Sequence, residues 1–218
     1  MERLSIQSFL ASGHPVHLYT YGALTGFPPG TTLRDGNEII PESAIFRYRD
    51  SGGLSGFANH FRYKLLLDKG GWWTDLDIVC LQPLPEPEDY AFATEEPGKA
   101  GNCAMFSRPG LPVMEYLWED VRRRSPQEIA WCETGPDLIR STVARFGIER
   151  CLLPPAAFCP IPFARWFDSF VPGRAPRLGP ETLGVHLWHE MWRRADLDKD
   201  EEYGPRSFYE LMKRRFLS

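Results

Sequence analysis

Two aspartates one residue apart, Asp75 and Asp77, are the residues of this sequence best suited to chemistry. A glycine pair and a tryptophan pair precede them, and an apolar run follows. Two close carboxylates repel each other unless a cation or hydrogen-bond donors lie between them. Mg²⁺ and Mn²⁺ prefer oxygen ligands and keep room for substrate phosphates. The pair therefore predicts a divalent-cation site, against the alternative of a solvated strand end.

The element that must position this pair is a helix predicted over residues 54–69. Its apolar residues recur at helical spacing, and Gly70-Gly71 ends it because glycine readily adopts the left-handed conformation. Asn59 and Arg62 are three residues apart and share a face that borders the apolar stripe. We expect both side chains to point into the cleft that holds the two acids.

A strand is predicted over residues 72–81, directly after the helix. The pleat of a continuous strand places Trp73, Asp75 and Asp77 on one side of the sheet. The acids and one indole ring are therefore expected to share a face.

The remaining elements interleave along the chain, which is typical of an α/β sheet with helices on both faces. Further strands are predicted at 17–21, 39–40, 91–93, 102–106 and 183–188, further helices at 4–10, 111–124, 136–146 and 207–217, and loops at 26–36, 51–53 and 154–162.

Composition excludes several classes of protein. With 218 residues and 43% hydrophobic residues, the chain has enough apolar material for a substantial core. A net charge of -4 disfavours nucleic-acid binding. The sequence holds neither an apolar run of membrane-spanning length nor a signal peptide. Five widely spaced cysteines without a C-x-x-C motif favour free thiols in a reducing cytoplasm over disulfides or a zinc site.

The stretch from residue 56 to 84, GFANHFRYKLLLDKGGWWTDLDIVCLQPL, resembles the D-x-D-containing sugar-transfer region of glycosyltransferase family 32. That family includes α-1,4-galactosyltransferases and an initiating mannosyltransferase. The matched positions, in order and spacing, are Ala58, Asn59, Arg62, Tyr63, Leu66, Gly70, Gly71, Trp73, Asp75 and Asp77. Weaker similarity covers Asn102, the segment Thr134-Gly135-Pro136, and His186-Leu187-Trp188.

The resemblance implies a GT-A fold, a Rossmann-like nucleotide-sugar domain with a mixed, mostly parallel sheet and flanking helices. It implies one domain over 1–218, with a nucleotide-sugar core over about 1–110 and the acceptor side and closing segment over about 111–218. The implied activity is metal-dependent, anomer-retaining transfer of a hexose from a UDP- or GDP-sugar to a glycan or lipid-linked acceptor in polysaccharide biosynthesis.

The resemblance also assigns a role to each matched polar residue. Asp77 would bind a Mn²⁺ or Mg²⁺ ion directly, Asp75 would hold the ribose or a metal-bound water, and His186 would be a further metal ligand. Together with Arg62, the two acids form the implied catalytic set.

The implied donor-binding residues surround that set. Asn59 and Arg62 would hydrogen-bond the donor sugar, and Asn102 would line the same site. Trp73 would pack at the nucleotide side, and Trp188 would close over the diphosphate. Asn59 stands where many relatives have aspartate, which predicts an altered choice of donor.

Two alternatives remain at the level of sequence. The chain begins after the strand that usually lines the nucleotide site in this family, which is consistent with a bacterial member that lacks the first strand. Such a chain could be a catalytically impaired protein that binds a nucleotide sugar or carbohydrate. The run from Asp75 to Val79 also fits the D-x-D-x-[TV] motif of haloacid-dehalogenase-type phosphatases. Peripheral contact with the inner face of a membrane is expected only through the basic segment 211–216.

Overall fold

A computed structural model describes residues 1–49 and 52–217 of the chain. The helices are α1 (Glu2–Ala11), α2 (Ser55–Asp68), α3 (Pro112–Val121), α4 (Leu138–Phe146), α5 (His189–Arg194) and α6 (Phe208–Phe216). The strands are β1 (Val16–Thr20), β2 (Thr31–Asp35), β3 (Gly71–Thr74), β4 (Ile78–Cys80), β5 (Tyr90–Glu96), β6 (Lys99–Ser107) and β7 (Gly184–His186). One turn of π-helix, Glu133–Asp137, precedes α4. Ser51, in the predicted loop 51–53, lies outside the described residues.

The α/β class and the five predicted helices are confirmed, but two local predictions were wrong. Strand β2 lies inside the predicted loop 26–36, and helix α5, for which the sequence made no prediction, follows the last predicted strand. Ile39 and Ile40 form no strand, although both are buried. Their apolar side chains pack against α2 in the core, which explains the hydrophobic pair without any strand pairing.

The expectation of a mostly parallel sheet was also wrong. Strands β1 and β2 pair in parallel, whereas β3, β6 and β5 form an antiparallel sheet and β4 pairs antiparallel with β7. Strands β5 and β6 are joined by Pro97-Gly98, and Gly98 has a positive φ of 74°. A two-residue turn can join only antiparallel strands.

The predicted strand 72–81 is two strands, and the pair of acids lies between them. Residues 75–77 leave β3, which pairs with β6, and lead into β4, which pairs with β7. The pleat argument for a shared face therefore fails. Placing the acids in a turn avoids burying two carboxylates on the face of a sheet, and Leu76 between them is 39% exposed.

Two apolar clusters make up most of the core. One packs α1, β4, β7, α5 and α6 around Trp192, and the other packs α2, β5, β6, α3 and α4 around Met105. Strand β6 contributes to both, with Cys103 in the first cluster and Met105 in the second. The turn at 75–77 lies where the two clusters meet, because it connects a partner of β6 to β4.

Gly70 makes the tight link between α2 and β3. Its φ is 67°, and a Cβ atom at this position would lie 2.6 Å from Pro109 and 2.9 Å from the carbonyl oxygen of Ser107. Glycine is required here both for its backbone conformation and for the close approach. Within the described ranges, we find no helix long and apolar enough to cross a membrane.

Candidate functional site

The turn at residues 75–77 is fixed to the sheets on both sides by backbone hydrogen bonds. The Asp75 N–H donates to the Cys103 carbonyl at 2.8 Å, and the Leu187 N–H donates to the Asp77 carbonyl at 2.9 Å. The last residue of β7, His186, pairs with Ile78. The two acids and the imidazole therefore converge on one place although they come from distant parts of the chain.

Asp77 is the more buried of the two acids, with 9% of the residue exposed. Its Oδ2 accepts a hydrogen bond from the backbone N–H of His189 at 2.8 Å and lies 3.2 Å from Nε2 of His186. Its Oδ1 is buried and, among the described residues, meets no hydrogen-bond partner. Buried carboxylate oxygens are normally paired, so this oxygen is positioned for something the chain itself does not supply.

Asp77 and His186 stabilise each other's charged form. Burial works against ionisation of Asp77, but the charge and hydrogen bond of His186 hold the pKa of the carboxyl below its usual range. Burial likewise works against the imidazolium, but attraction to Asp77 raises the pKa of His186 well above the usual value. Without a cation, the pair is therefore a buried ion pair.

Asp75 is the accessible acid, with 30% of its side chain exposed. Its Oδ1 accepts a hydrogen bond from the Trp73 indole N–H at 3.0 Å and lies 3.2 Å from Nη2 of Arg62. Burial and the negative charge of Asp77 raise the pKa of Asp75, while Arg62 opposes the rise. A cation beside both carboxylates would remove that repulsion.

Arg62 connects the acid pair to helix α2. Its guanidinium lies 4.8 Å from the centre of the Trp73 ring and donates hydrogen bonds to the backbone carbonyls of Asn102 and Ala58. The side chain is only 4% exposed. Its position is fixed on several sides, which suits a group that orients Asp75.

Asn59 lies next to the predicted T-G-P segment rather than beside the acids. Its side-chain N–H donates to the Thr134 hydroxyl at 3.1 Å, and its oxygen accepts from the Asn102 amide at 2.8 Å. A Cβ atom on Gly135 would lie 2.9 Å from Nδ2 of Asn102, so a side chain at this position would have to displace the amide pair. The Tyr63 hydroxyl donates to the Thr134 carbonyl at 2.7 Å.

Trp188 is buried rather than free to close over a ligand, with 6% of the residue exposed. Its indole N–H donates to the Ile161 carbonyl at 2.8 Å, and its ring centre lies 4.1 Å from that of His186. Its φ of 59° is left-handed, a conformation that costs a residue other than glycine about 1–3 kcal/mol and persists only where its surroundings hold it. The ring therefore fixes the orientation of His186.

Asp75, Asp77 and His186 together form a ligand set that suits a divalent cation. One ligand atom each from Asp75, Asp77 and His186 lies within 4.8 Å of the other two. Two carboxylates suit Mn²⁺ or Mg²⁺, and the unpartnered Oδ1 of Asp77 is the donor atom that such an ion would complete. The sequence-predicted metal ligands are thus brought together, and Arg62, Asn102 and Asn59 continue from them in an unbroken line of contacts.

Sequence reasoning missed two features of this site. The N–H of His189 caps Asp77, and no sequence signal marks a backbone donor of this kind. The buried thiols of Cys103 and Cys159 lie beside His186. These two cysteines are 56 residues apart, so their spacing carried no motif.

Comparison with known proteins supports a relation at the level of the fold. No model of a known protein family matches the chain. Among solved structures, the PaToxG glycosyltransferase is similar, with a TM-score of 0.50, 13% sequence identity, and coverage of 66% of this chain and 62% of that chain. The chain thus spans somewhat less than two thirds of that glycosyltransferase. The fold of this protein is similar to that of a glycosyltransferase, while membership of family 32 stays a prediction.

Proposed function

We propose that this chain is a metal-dependent glycosyltransferase with a GT-A fold, which moves a hexose from a UDP- or GDP-sugar to a glycan or lipid-linked acceptor. Its fold resembles that of a glycosyltransferase, and its polar cluster contains the residue types that sugar transfer from a nucleotide requires. Retention of the anomeric configuration follows from the family resemblance alone.

The observation that carries the proposal is the buried, unpartnered Oδ1 of Asp77 beside Asp75 and His186. Burying a carboxylate oxygen without a hydrogen-bond partner costs free energy. A bound ligand that supplies the missing partner would recover that cost. A Mn²⁺ or Mg²⁺ ion held by Asp77, Asp75 and His186 would neutralise negative charge on a departing nucleoside diphosphate.

The chain's own residues set the geometry around that charge. Arg62 holds Asp75 by an ion pair at 3.2 Å, and the Trp73 indole fixes the same oxygen. Trp188 orients the His186 ring. Since a histidine binds metal only in its neutral form, cation binding must displace the proton that Asp77 stabilises on His186. The buried rings also exclude water, which would otherwise hydrolyse the donor.

The test is release of UDP or GDP from a panel of nucleotide sugars in the presence of Mn²⁺. Wild type is compared with Asp77→Ala, and Leu76→Ala is the matched control because Leu76 lies in the same turn and is exposed. We expect Asp77→Ala to lose about 100-fold or more in rate, as expected when a group that stabilises developing charge is removed. Leu76→Ala should keep the wild-type rate.

Other outcomes separate the alternatives. Binding of a nucleotide sugar without release of the nucleotide would indicate an impaired, binding-only protein. Turnover of simple phosphomonoesters with no preference for nucleotide sugars would overturn the proposal in favour of D-x-D phosphatase chemistry. Peripheral membrane contact through α6 remains a prediction, to be tested with a lipid-linked acceptor.

A further inference from the structure

His186 has a second set of ligand-type neighbours besides the two acids. One ligand atom each from Cys103, Cys159 and His186 lies within 4.8 Å of the other two. The exposed fractions of these residues are 5%, 2% and 8%. The two sulfur atoms are 4.0 Å apart. A buried pair of thiols beside an imidazole is a set of donors that borderline-soft cations prefer.

The two nitrogens of the imidazole are not equivalent. Nε2 lies 3.2 Å from Oδ2 of Asp77. Nδ1 is buried and forms no hydrogen bond of ordinary geometry within the described part of the chain, although the Cys103 thiol lies close enough to affect the charge of the ring. A buried ring nitrogen without a partner calls for an explanation, as does the unpartnered oxygen of Asp77. Two orphaned atoms on the two sides of one ion pair point to two ligands rather than one.

We propose that Cys103, Cys159 and Nδ1 of His186 form a binding site for a thiophilic divalent cation of the Zn²⁺ class, with Asp77 as the carboxylate that orients the imidazole. Metal-binding histidines commonly donate their other ring N–H to a carboxylate in this way. Tetrahedral zinc with Zn–S bonds of about 2.3 Å places two thiolates about 3.8 Å apart. The observed separation of 4.0 Å is close to that value.

Binding at this site exchanges protons for the metal. The hydrogen bond between the Cys103 and Cys159 thiols, together with burial, raises the pKa of the Cys103 thiol well above its usual value, so without metal the sulfur carries its proton. Metal–ligand bonds form as the two S–H protons and the Nδ1 proton of the imidazolium leave to solvent, and no oxidant or reductant is needed. The three ligands leave one tetrahedral position open.

This inference does not depend on the proposed function, but it affects it. With metal on Nδ1, Nε2 keeps its hydrogen and donates it to Asp77, so His186 no longer serves as a ligand on the carboxylate side. The two carboxylates are hard oxygen donors and the thiols are soft, so the two sites select different ions. His186 is the residue they share.

The first test uses wild-type protein and needs no variant. The protein is kept in a non-thiol reductant and titrated with Co²⁺, which replaces Zn²⁺ and reports its ligands by absorption. We expect a thiolate-to-cobalt charge-transfer band in the near ultraviolet, reversed by Zn²⁺. If Co²⁺ binds without that band, or does not bind, the inference is wrong.

The second test assigns the ligands. Zn²⁺ affinity is measured by competition with a chromophoric chelator for Cys103→Ser and Cys159→Ser, with Cys151→Ser as the matched control because it lies outside the cluster. We expect the first two to lose about 100-fold or more, because changing an outer-sphere partner alone costs about 10–100-fold. Affinity in the control should be unchanged. Equal affinity in all three variants would overturn the assignment.

Asp77→Ala separates this inference from the proposed function. In that variant Zn²⁺ affinity should fall by about 10–100-fold while the cobalt–thiolate band persists, because Asp77 acts through His186. Mn²⁺-dependent nucleotide release should fall by about 100-fold or more in the same variant. If the wild type shows the band but releases no nucleotide from any donor, the thiol site stands and the transferase proposal is overturned.

Discussion

Asn59 and Asp77 lie in two different polar clusters and are buried to a similar degree, with 4% and 9% of the residue exposed. Asn59 is fully engaged, since it donates to Thr134 and accepts from Asn102. Asp77 keeps an unpartnered oxygen, and its partner His186 keeps an unpartnered nitrogen, within the part of the chain that the structure describes. Amides that are hydrogen-bonded within the protein fix the shape of the site. The unpartnered atoms are where a ligand would gain the most binding free energy.

Two buried histidines repeat the same contrast. The ring nitrogens of His60 lie 3.0 Å from the Gly56 carbonyl and 2.9 Å from the Val121 carbonyl. Burial lowers the pKa of His60, and those carbonyls offset only part of the effect. His186 faces a carboxylate instead, and its pKa is raised. The first histidine thus bridges α2 and the last residue of α3 with a lowered pKa, and the second is half of an ion pair.

The largest expected effect comes from breaking that ion pair. In metal-free protein, Asp77→Ala should lower the free energy of unfolding by about 3 kcal/mol, because it leaves His186 buried without its counter-charge. Relief of repulsion with Asp75 offsets part of the cost. Urea denaturation measures the change, with Leu76→Ala as control. A loss below about 1 kcal/mol would show that the pair is not held as described.

A smaller loss of unfolding free energy is expected from a change at Asn59, whose side chain is hydrogen-bonded within the protein. Asn59→Ala removes partners from Asn102 and Thr134, which should cost about 1–3 kcal/mol of unfolding free energy. The variant should still be stabilised by Mn²⁺, by about 2.7 kcal/mol at a concentration 100 times its Kd. Thermal unfolding with and without Mn²⁺ checks both statements. Loss of the Mn²⁺ effect would mean that the two regions are not separable.

The smallest expected effect is the pH dependence of His60. Its pKa is lower in the folded protein than in the unfolded chain, where it is about 6.5. The stability it contributes is therefore fully present above about pH 6.5 and is lost as the pH falls below that value. The difference in unfolding free energy between wild type and His60→Gln should narrow on acidification, with a slope of at most about 1.4 kcal/mol per pH unit. A difference that widens would contradict the contrast with His186.

The sequence predicted the helices well because their signals are local. Apolar spacing and the glycine pair after it located α2 within one or two residues. The sheet was harder, since the partner of a strand is not written in the strand itself. Pro97-Gly98 was a local sign of a hairpin and would have indicated antiparallel pairing of β5 and β6.

The site was only partly accessible from sequence. Asp75 and Asp77 do lie together, but the reason is a turn between two sheets and not the pleat of one strand. His186 entered only through a family resemblance, because a lone histidine 109 positions after Asp77 carries no signal of its own. The wide spacing of the cysteines favours free thiols over disulfides or a zinc site, because the pairing of β4 with β7 and the packing of residues 157–161, which bring two of them beside His186, leave no sign in the sequence.

The pairing of β4 with β7 also has a consequence for how the chain folds. The hydrogen bond from His189 to Asp77 closes a loop of 112 residues. Contacts so distant in sequence cannot form before the chain between them exists, and non-local pairings of this kind slow folding. A growing polypeptide on the ribosome therefore carries both carboxylates long before the imidazole is synthesised. The complete cation site exists only once β4 has paired with β7, so cation binding stabilises the folded protein and not the early stages of folding.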